Sequence, residues 1–222
     1  MLLLTKNEME SKSIEPWTKL VANASNAYRE YFKFEEKYLT EHISRGGISL
    51  DIGCGDGRSL KTISKYASFA IGIDNDDEAV SIAKSNFDNS KNVLILNNDT
   101  INLVDYFNLN FDNIFCGLTF CNFGKSKHAI LHQIYFKINP GNFIFSVYNE
   151  NALDERLRMY NRAFEEQYQV DPKTGTIIFN HGQIISEQFT QRQLEEMLTE
   201  HDFKINDIQK GKIFYMVNCR RE

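Results

Sequence analysis

The segment Ile48-Ser49-Leu50-Asp51-Ile52-Gly53-Cys54-Gly55-Asp56-Gly57-Arg58 decides the fold of this chain. An apolar run leads into an aspartate, and glycine then stands at every second position. Because glycine lacks a side chain and adopts positive φ, such a loop brings bare backbone close to whatever lies above the end of the strand. The segment therefore predicts a β-strand, a tight turn and a ligand held by that turn.

The spacing of the glycines narrows the class of ligand. Arg58 stands where the GxGxxG fingerprint of dinucleotide-binding proteins has its third glycine, and the GK[ST] of a phosphate-binding P-loop is missing. Asp51 and Asp56 make the loop acidic, which repels phosphate and suits a cation. A nicotinamide oxidoreductase is therefore disfavoured.

Short apolar runs alternate with segments of helical period from Ile48 onward, which predicts βαβ units and a parallel sheet. The predicted strands are Ile48 to Ile52, Phe69 to Ile73, Asn92 to Leu96, Asn113 to Cys116 and Asn142 to Tyr148. The predicted helices between them are Gly57 to Tyr66, Asp77 to Asn86, Thr100 to Phe107, and Lys125 to Asn139 with Pro140-Gly141 as its stop signal.

Two further acids stand at the ends of predicted strands. Asp74 follows Ile71-Gly72-Ile73, and Asp99 follows the third strand. A carboxylate at the first position suits both hydroxyls of a ribose, and one at the second suits an exocyclic amine. With Asp51, these residues predict a nucleoside that carries a positive group and no phosphate.

The flanking segments follow other patterns. Thr190-Gln191-Arg192-Gln193 is a capping box that predicts a helix ending near His201, followed by a hairpin of Phe203 to Gln209 and Ile213 to Cys219. We also predict one or two helices in Pro16 to Ile43, a helix in Ala152 to Tyr168, and a β-excursion that turns at Asp171 to Gly175.

Composition limits the classes of protein to which the chain could belong. With 222 residues and a net charge of -5, the chain suits one domain and not a sequence-independent nucleic-acid binder. Its four cysteines form no CxxC pair and lie in apolar runs, so we expect buried thiols and a cytoplasmic location. We recognise neither a signal peptide nor a membrane span in the sequence.

In this order, the motifs resemble those of the class I, Rossmann-like S-adenosylmethionine-dependent methyltransferases. The resemblance runs from Ile48 to Cys219 through LDIGCGDG, GID, NND, FDNIFC, INPGNFIF and the terminal hairpin. It implies an α/β fold with a seven-stranded, mostly parallel sheet in the order 3-2-1-4-5-7-6, an antiparallel strand 7 and helices on both faces. It also implies a methyltransferase domain over 48–222. From position alone we expect the aromatic N-terminal segment 1–47 to be a helical lid, and 151–188 to be a helical and β insertion that forms part of the acceptor site.

The resemblance implies S-adenosylmethionine as the cofactor and assigns residues to it. The glycine loop would line its methionine part, Asp74 would hold the ribose, Asp99 would accept from the adenine amine, and the backbone of Cys116 and Gly117 would meet its amino group. The full set of expected cofactor-binding residues is Asp51, Gly53, Cys54, Gly55, Gly57, Asp74, Asn75, Asp99, Thr100, Cys116 and Gly117.

The expected reaction is in-line displacement of the sulfonium methyl by an oxygen or nitrogen of a small-molecule acceptor. No [ND]PP[YF] motif follows strand four, which disfavours methylation of adenine or of glutamine amides, and no carboxylate stands there for metal-dependent catechol chemistry. Candidate catalytic residues are Tyr28, Tyr148 and His181, the last with Glu187 as its orienter. No metal is expected, since His128 and His132 lack a third ligand in the sequence.

Two alternatives to a small-molecule enzyme stay open at this stage. One is a methyltransferase acting on RNA or protein, although a basic surface stripe would then be expected. The other is a non-catalytic S-adenosylmethionine-binding partner subunit. We expect a monomer or homodimer without a membrane partner.

Overall fold

The computed structural model describes residues 24–100, 103, 107–163, 168–179 and 184–222. The helices are α1 Asn26–His42, α2 Leu60–Ile63, α3 Asp77–Asn86, α4 Lys127–Lys137, α5 Leu153–Ala163 and α6 Gln191–Glu200. The strands are β1 Ile48–Ile52, β2 Phe69–Asp74, β3 Val93–Asn97, β4 Phe111–Gly117, β5 Ile138–Asn149, β6 Tyr168–Val170, β7 Ile177–Phe179, β8 Ile184–Ser186, β9 Gln188–Phe189, β10 Phe203–Lys210 and β11 Phe214–Arg221.

The main sheet has the order β3-β2-β1-β4-β5-β11-β10, and the short β9 pairs with β5 outside this path. The first five strands of this order run parallel, whereas β11 lies antiparallel to β5 and β10 lies antiparallel to β11. This arrangement is the predicted 3-2-1-4-5-7-6 order with its antiparallel strand 7. It brings the carboxyl ends of β1, β2, β4 and β5 to one edge of the sheet.

Most predicted boundaries agree with the structure, but the stop signal at Pro140-Gly141 is wrong. The helix ends at Lys137, and β5 begins at Ile138 and passes through both residues. Residues 138 to 142 of β5 lie opposite only residues 111 to 113 of β4, so the strand bulges there. A Cβ on Gly141 would lie 2.6 Å from the Asp112 carbonyl oxygen, so the close approach of β4 requires this glycine.

Two other predicted helices are shorter than expected. The segment Gly57 to Tyr66 contains only the four-residue α2, with turns on either side. The predicted helix Ala152 to Tyr168 is helical over Leu153–Ala163, and Tyr168 begins β6. Most of the predicted helix Thr100 to Phe107 lies outside the described residues.

The segment after β5 forms a separate small sheet, as the predicted β-excursion requires. Its strands follow the antiparallel order β6-β7-β8. The turn at Asp171 to Gly175 is closed by a hydrogen bond from the Gly175 amide to the Asp171 carbonyl oxygen at 2.8 Å. Among the described residues, no helix is both long enough and apolar enough to cross a bilayer.

The predicted capping box begins α6. The Thr190 hydroxyl accepts from the Gln193 amide, and the Gln193 side chain accepts from the Thr190 amide at 2.8 Å. Leu194 and Leu198 are fully buried, so this helix packs its apolar face against the core. The helix leads directly into the β10–β11 hairpin, which completes the sheet.

Candidate active site

The glycine loop joins β1 to α2 and is held against the next strand. The amides of Gly53 and Cys54 both donate to the Ile73 carbonyl oxygen, at 2.8 and 3.1 Å. Gly53, Gly55 and Gly57 have φ values of +69°, +53° and +85°. These are left-handed conformations that L side chains rarely adopt, so the alternate glycines follow from the path of the loop.

The three glycines also differ in what a side chain would meet. A Cβ on Gly53 would lie 2.3 Å from the Thr119 hydroxyl oxygen, and one on Gly57 would lie 2.5 Å from the Phe87 ring. A Cβ on Gly55 would meet nothing within 4 Å. Two of the glycines therefore permit close packing inside the protein, whereas Gly55 leaves backbone facing open space.

Asp74 connects the loop to the start of α3. Its carboxylate accepts from the Gly55 amide at 2.8 Å and from the Asp76 amide at 3.0 Å. Burial raises the pKa of this carboxyl, although the backbone donors act in the opposite direction. A carboxylate positioned in this way has remaining lone pairs for two further donors, such as vicinal hydroxyls.

Asp51 is 1% exposed at the end of β1. Its Oδ2 accepts from the Ser59 hydroxyl, while its Oδ1 is buried and has no hydrogen-bond partner. Burial raises the pKa of Asp51 to about 8, with Glu35 and Asp74 adding to the shift and Ser59 and Arg58 opposing it. An unpartnered buried carboxyl oxygen is costly, and this position is suited to a cationic ligand.

The sequence analysis missed a hydrogen-bond network that joins α1 to this site. Glu35 is 1% exposed and binds Arg58 through both carboxylate oxygens, at 2.5 and 3.1 Å. Glu35 also accepts from the Tyr31 hydroxyl, which lies 2.8 Å from the Ser146 hydroxyl. The Ser146 hydroxyl in turn accepts from the Leu118 amide at 2.9 Å.

This network links the glycine loop, α1 and the loop after β4. The i,i+4 spacing of Tyr31 and Glu35 places them on one helix face, and this spacing was the one feature of the sequence that could have indicated the network. Their partners are distant in sequence, so pairing with Arg58 and Ser146 had no local signature. Arg58, noted in the sequence as the replacement for a third glycine, is thus neutralised by a helix residue.

The loop after β4 has the tight geometry expected beside a ligand. Cys116 is fully buried, and a Cβ on the partly exposed Gly117 would lie 3.0 Å from a Glu35 carboxylate oxygen. Leu118 has a φ of +54°, which is a strained conformation for a leucine and costs about 1 kcal/mol or more. The two hydrogen bonds from its amide, to the Ser146 hydroxyl and carbonyl, maintain this conformation.

The remaining predicted cofactor residues lie at the ends of β2 and β3. Asn75 and Asp99 are exposed, and Thr100 is 9% exposed. The Asn98 amide donates to the Asp74 carbonyl oxygen at 3.0 Å, which connects the two strand ends. The structure thus places these residues at the same edge as Asp51 and the glycine loop.

On the other side of β4, the carboxyl end of β5 carries aromatic and cationic side chains. The Tyr28 hydroxyl donates to the Tyr148 hydroxyl at 3.1 Å, so the structure brings these two candidates together. Burial raises the pKa of both phenols, which stay neutral near pH 7. The Arg156 guanidinium lies over the Tyr148 ring, 4.9 Å from its centroid.

The histidine hypotheses have different outcomes. His181 lies outside the described residues, and Glu187 is bonded to Lys127 at 2.9 Å, so it already has a cationic partner. His201, which the sequence did not connect with the pair on α4, lies 3.0 Å from His128. Within the described ranges, no group of three or more potential ligands is arranged to hold a metal ion.

Comparisons with known proteins agree with this geometry. Residues 50–141 match the family model described as a methyltransferase domain. A curated relative, an uncharacterized protein of Methanocaldococcus jannaschii, is 29% identical over 140 residues, which cover 61% of this chain and 51% of that protein. The chain therefore spans about half the length of that relative.

Solved structures show the same fold at low sequence identity. The 1,6-didemethyltoxoflavin-N1-methyltransferase of Burkholderia thailandensis has a TM-score of 0.68 and 18% identity, with 100% of this chain and 92% of that chain covered. The magnesium protoporphyrin IX methyltransferase of Synechocystis PCC 6803 has a TM-score of 0.67 and 11% identity, with 98% of each chain covered. The sheet order and these structures show that the chain has the Rossmann-like fold of the class I methyltransferases, and its residues 50–141 match the methyltransferase domain model.

Proposed function

We propose that this chain binds S-adenosylmethionine and transfers its methyl group to an oxygen or nitrogen atom of a small-molecule acceptor. The observation that carries the proposal is Gly55, whose backbone faces open space and is anchored by the Asp74 carboxylate. The unpartnered Oδ1 of Asp51 lies in the same loop region. These carboxylate acceptors suit a cationic nucleoside and not a phosphorylated one.

Each predicted cofactor residue has a part in this proposal. Asp74 would accept from the ribose hydroxyls, Asp99 from the adenine amine, and the Gly117 carbonyl from the amino group of the methionine part. The residues that would line the cofactor around them are Asp51, Gly53, Cys54, Gly55, Gly57, Asn75, Thr100 and Cys116. When bound, the cofactor supplies an electrophilic methyl group on a sulfonium sulfur.

The protein's own contribution would be orientation and exclusion of water. Well-aligned reactants gain about 7 kcal/mol or more from fixed geometry, so no covalent participation of the protein is needed. Tyr31 and Glu35 fasten α1 to the glycine loop and to Ser146, which supports a covering role for the segment 1–47. The segment 151–188 would close the acceptor side.

Tyr28 and Tyr148 would act as hydrogen-bond partners of the acceptor and not as general bases. Because burial raises both pKa values, neither phenolate is available near neutral pH. The four cysteines of the chain are free and buried, which supports our placing the enzyme in a reducing compartment such as the cytoplasm.

Calorimetry with S-adenosylmethionine, S-adenosylhomocysteine and NAD tests the cofactor assignment. We expect micromolar binding of the first two and none of the third. Release of S-adenosylhomocysteine is then followed across a panel of amines, carboxylic acids and phenols. Binding of NAD in place of the sulfonium compound would overturn the proposal, and cofactor binding without turnover on any acceptor would favour a non-catalytic role.

A further inference from the structure

Arg156 carries a buried positive charge that the described part of the chain does not neutralise. The residue is 0% exposed and is the bulkiest of the fully buried side chains in the described ranges. Its Nη1 donates to the Gly175 carbonyl and the Gln188 side chain, at 3.0 and 3.1 Å. Its Nη2 donates to the carbonyl and the hydroxyl of Ser186, so all these acceptors are uncharged.

The Nε–H of Arg156 is buried and has no hydrogen-bond partner. Arginine stays protonated in proteins, so it cannot escape this cost by losing its proton. Glu187, beside Ser186 in sequence, is paired with Lys127 and contributes no spare charge. A buried cation with an unused donor is an arrangement that an anionic ligand would complete.

Arg156 lies beside Tyr28 and Tyr148, the residues that we propose to contact the methyl acceptor. Its guanidinium lies on the ring of Tyr148, whose hydroxyl meets that of Tyr28. Tyr148 is two residues beyond Ser146 on β5, so both side chains project from the same face of the sheet. Ser146 contacts Leu118 in the loop after β4. Burial raises the pKa of Cys121 in that loop, and the Arg156 charge lowers it by a smaller amount.

We propose that Arg156 binds a carboxylate group of the methyl acceptor through its Nε–H, beside the hydroxyls of Tyr28 and Tyr148. This inference rests on the proposed function and adds the substrate class to it. A carboxylate fits better than a phosphate because the Nε–H and the one hydroxyl proton left by the Tyr28–Tyr148 hydrogen bond are few donors for three phosphate oxygens and up to two charges. The acceptors are therefore small carboxylic acids.

The test uses benzoate, benzamide and phenyl phosphate as probes on the full chain saturated with S-adenosylhomocysteine. Dissociation constants are measured by ligand-observed NMR at constant ionic strength. We expect benzoate to bind at least tenfold more tightly than benzamide, which has the same shape without the charge. Equal affinities, or tighter binding of phenyl phosphate than of benzoate, would overturn the proposal.

Two variants then test whether Arg156 causes the preference for benzoate over benzamide. Arg156→Gln should abolish the difference between benzoate and benzamide, whereas Arg158→Gln, an exposed arginine on the same helix, should preserve it. A folded Arg156→Gln protein that retains the preference would overturn the assignment. Where this variant does not fold, a crystal of the wild-type protein with benzoate decides, since the carboxylate must lie within hydrogen-bond distance of Nε.

The calorimetric measurement of S-adenosylhomocysteine affinity separates this inference from the proposed function. Equal binding of benzoate and benzamide by a wild-type chain that binds the cofactor normally rejects only the role of Arg156. Absence of cofactor binding by the wild-type chain rejects the proposed function itself.

Discussion

The rim of the sheet over β1 and β2 differs in its chemistry from the rim over β5. The first is acidic and made largely of backbone, with Asp51, Asp74 and the glycines close together in sequence. The second is aromatic and cationic, and its central contacts join residues that lie far apart, such as Tyr28 with Tyr148. The rim that we propose for the cofactor thus depends on short sequence motifs, whereas the rim that we propose for the acceptor is assembled by tertiary packing.

Substitution of Gly53 should have the largest effect on stability. It tests whether the rim over β1 and β2 requires backbone without a side chain at this position. In Gly53→Ala, the positive φ and the 2.3 Å approach to Thr119 should together lower the free energy of unfolding by about 3 kcal/mol. Urea denaturation measures this loss. Gly55→Ala is the matched variant, since its Cβ enters open space and should cost only about 1 kcal/mol.

The two glycine variants should also separate stability from ligand binding. Gly55→Ala fills space that we assign to the cofactor, so its S-adenosylmethionine affinity should fall more than its stability does. A stable Gly55→Ala protein with wild-type affinity would show that the open space is not used by the cofactor.

Asp74→Ala tests the charged part of the same rim. Loss of charge-assisted hydrogen bonds to the ribose should weaken S-adenosylmethionine binding by about 1.5 to 3 kcal/mol, measured by calorimetry. Asp77→Asn is the control, because Asp77 is an exposed acid three residues later, at the start of α3, and its side chain contacts Asn97. Unchanged affinity in Asp74→Ala would remove this residue from the site.

The raised pKa of Asp51 predicts that cofactor binding depends on pH. In the folded protein burial raises the pKa of this carboxyl to about 8, whereas in the unfolded chain it ionises near pH 4. Folding stability from this group is therefore greatest at low pH and falls as pH rises from about 4 to about 8.

A cationic ligand should reverse that preference by favouring the ionised carboxylate. S-adenosylmethionine affinity should then rise up to tenfold per pH unit between pH 6 and 8, with release of up to one proton. Calorimetry in two buffers of different ionisation enthalpy counts the proton, and Asp51→Asn should remove both effects. The uncharged sulfur of S-adenosylhomocysteine should give a weaker pH dependence, and equal slopes for both compounds would contradict this explanation.

The capping box was predicted because its signal lies within four residues, whereas the sheet order was implied by the resemblance to the methyltransferase family and is confirmed by the structure. The prediction that Pro140-Gly141 ends a helix was wrong. Whether this pair ends a helix or forms part of a bulged strand depends on its pairing with β4, which lies earlier in the sequence. Nothing in the sequence indicated that Arg156 is buried, because an arginine next to acidic residues in a helix is normally exposed to solvent. Prediction succeeded where geometry is local and failed where a side chain's partner comes from another element.

Tyr148→Phe should have the smallest effect and sharpens the distinction between the two rims. The variant loses the hydrogen bond with Tyr28 but keeps the ring beneath Arg156, so unfolding should become easier by about 0.5 to 1.5 kcal/mol. S-adenosylmethionine affinity should stay within twofold of wild type, while turnover on a carboxylic-acid acceptor should fall. Tyr215→Phe, which removes a hydroxyl bonded to Glu150, controls for the loss of a phenol elsewhere on the sheet. A fall in cofactor affinity with unaltered acceptor turnover would place Tyr148 on the cofactor side and remove the division between the rims.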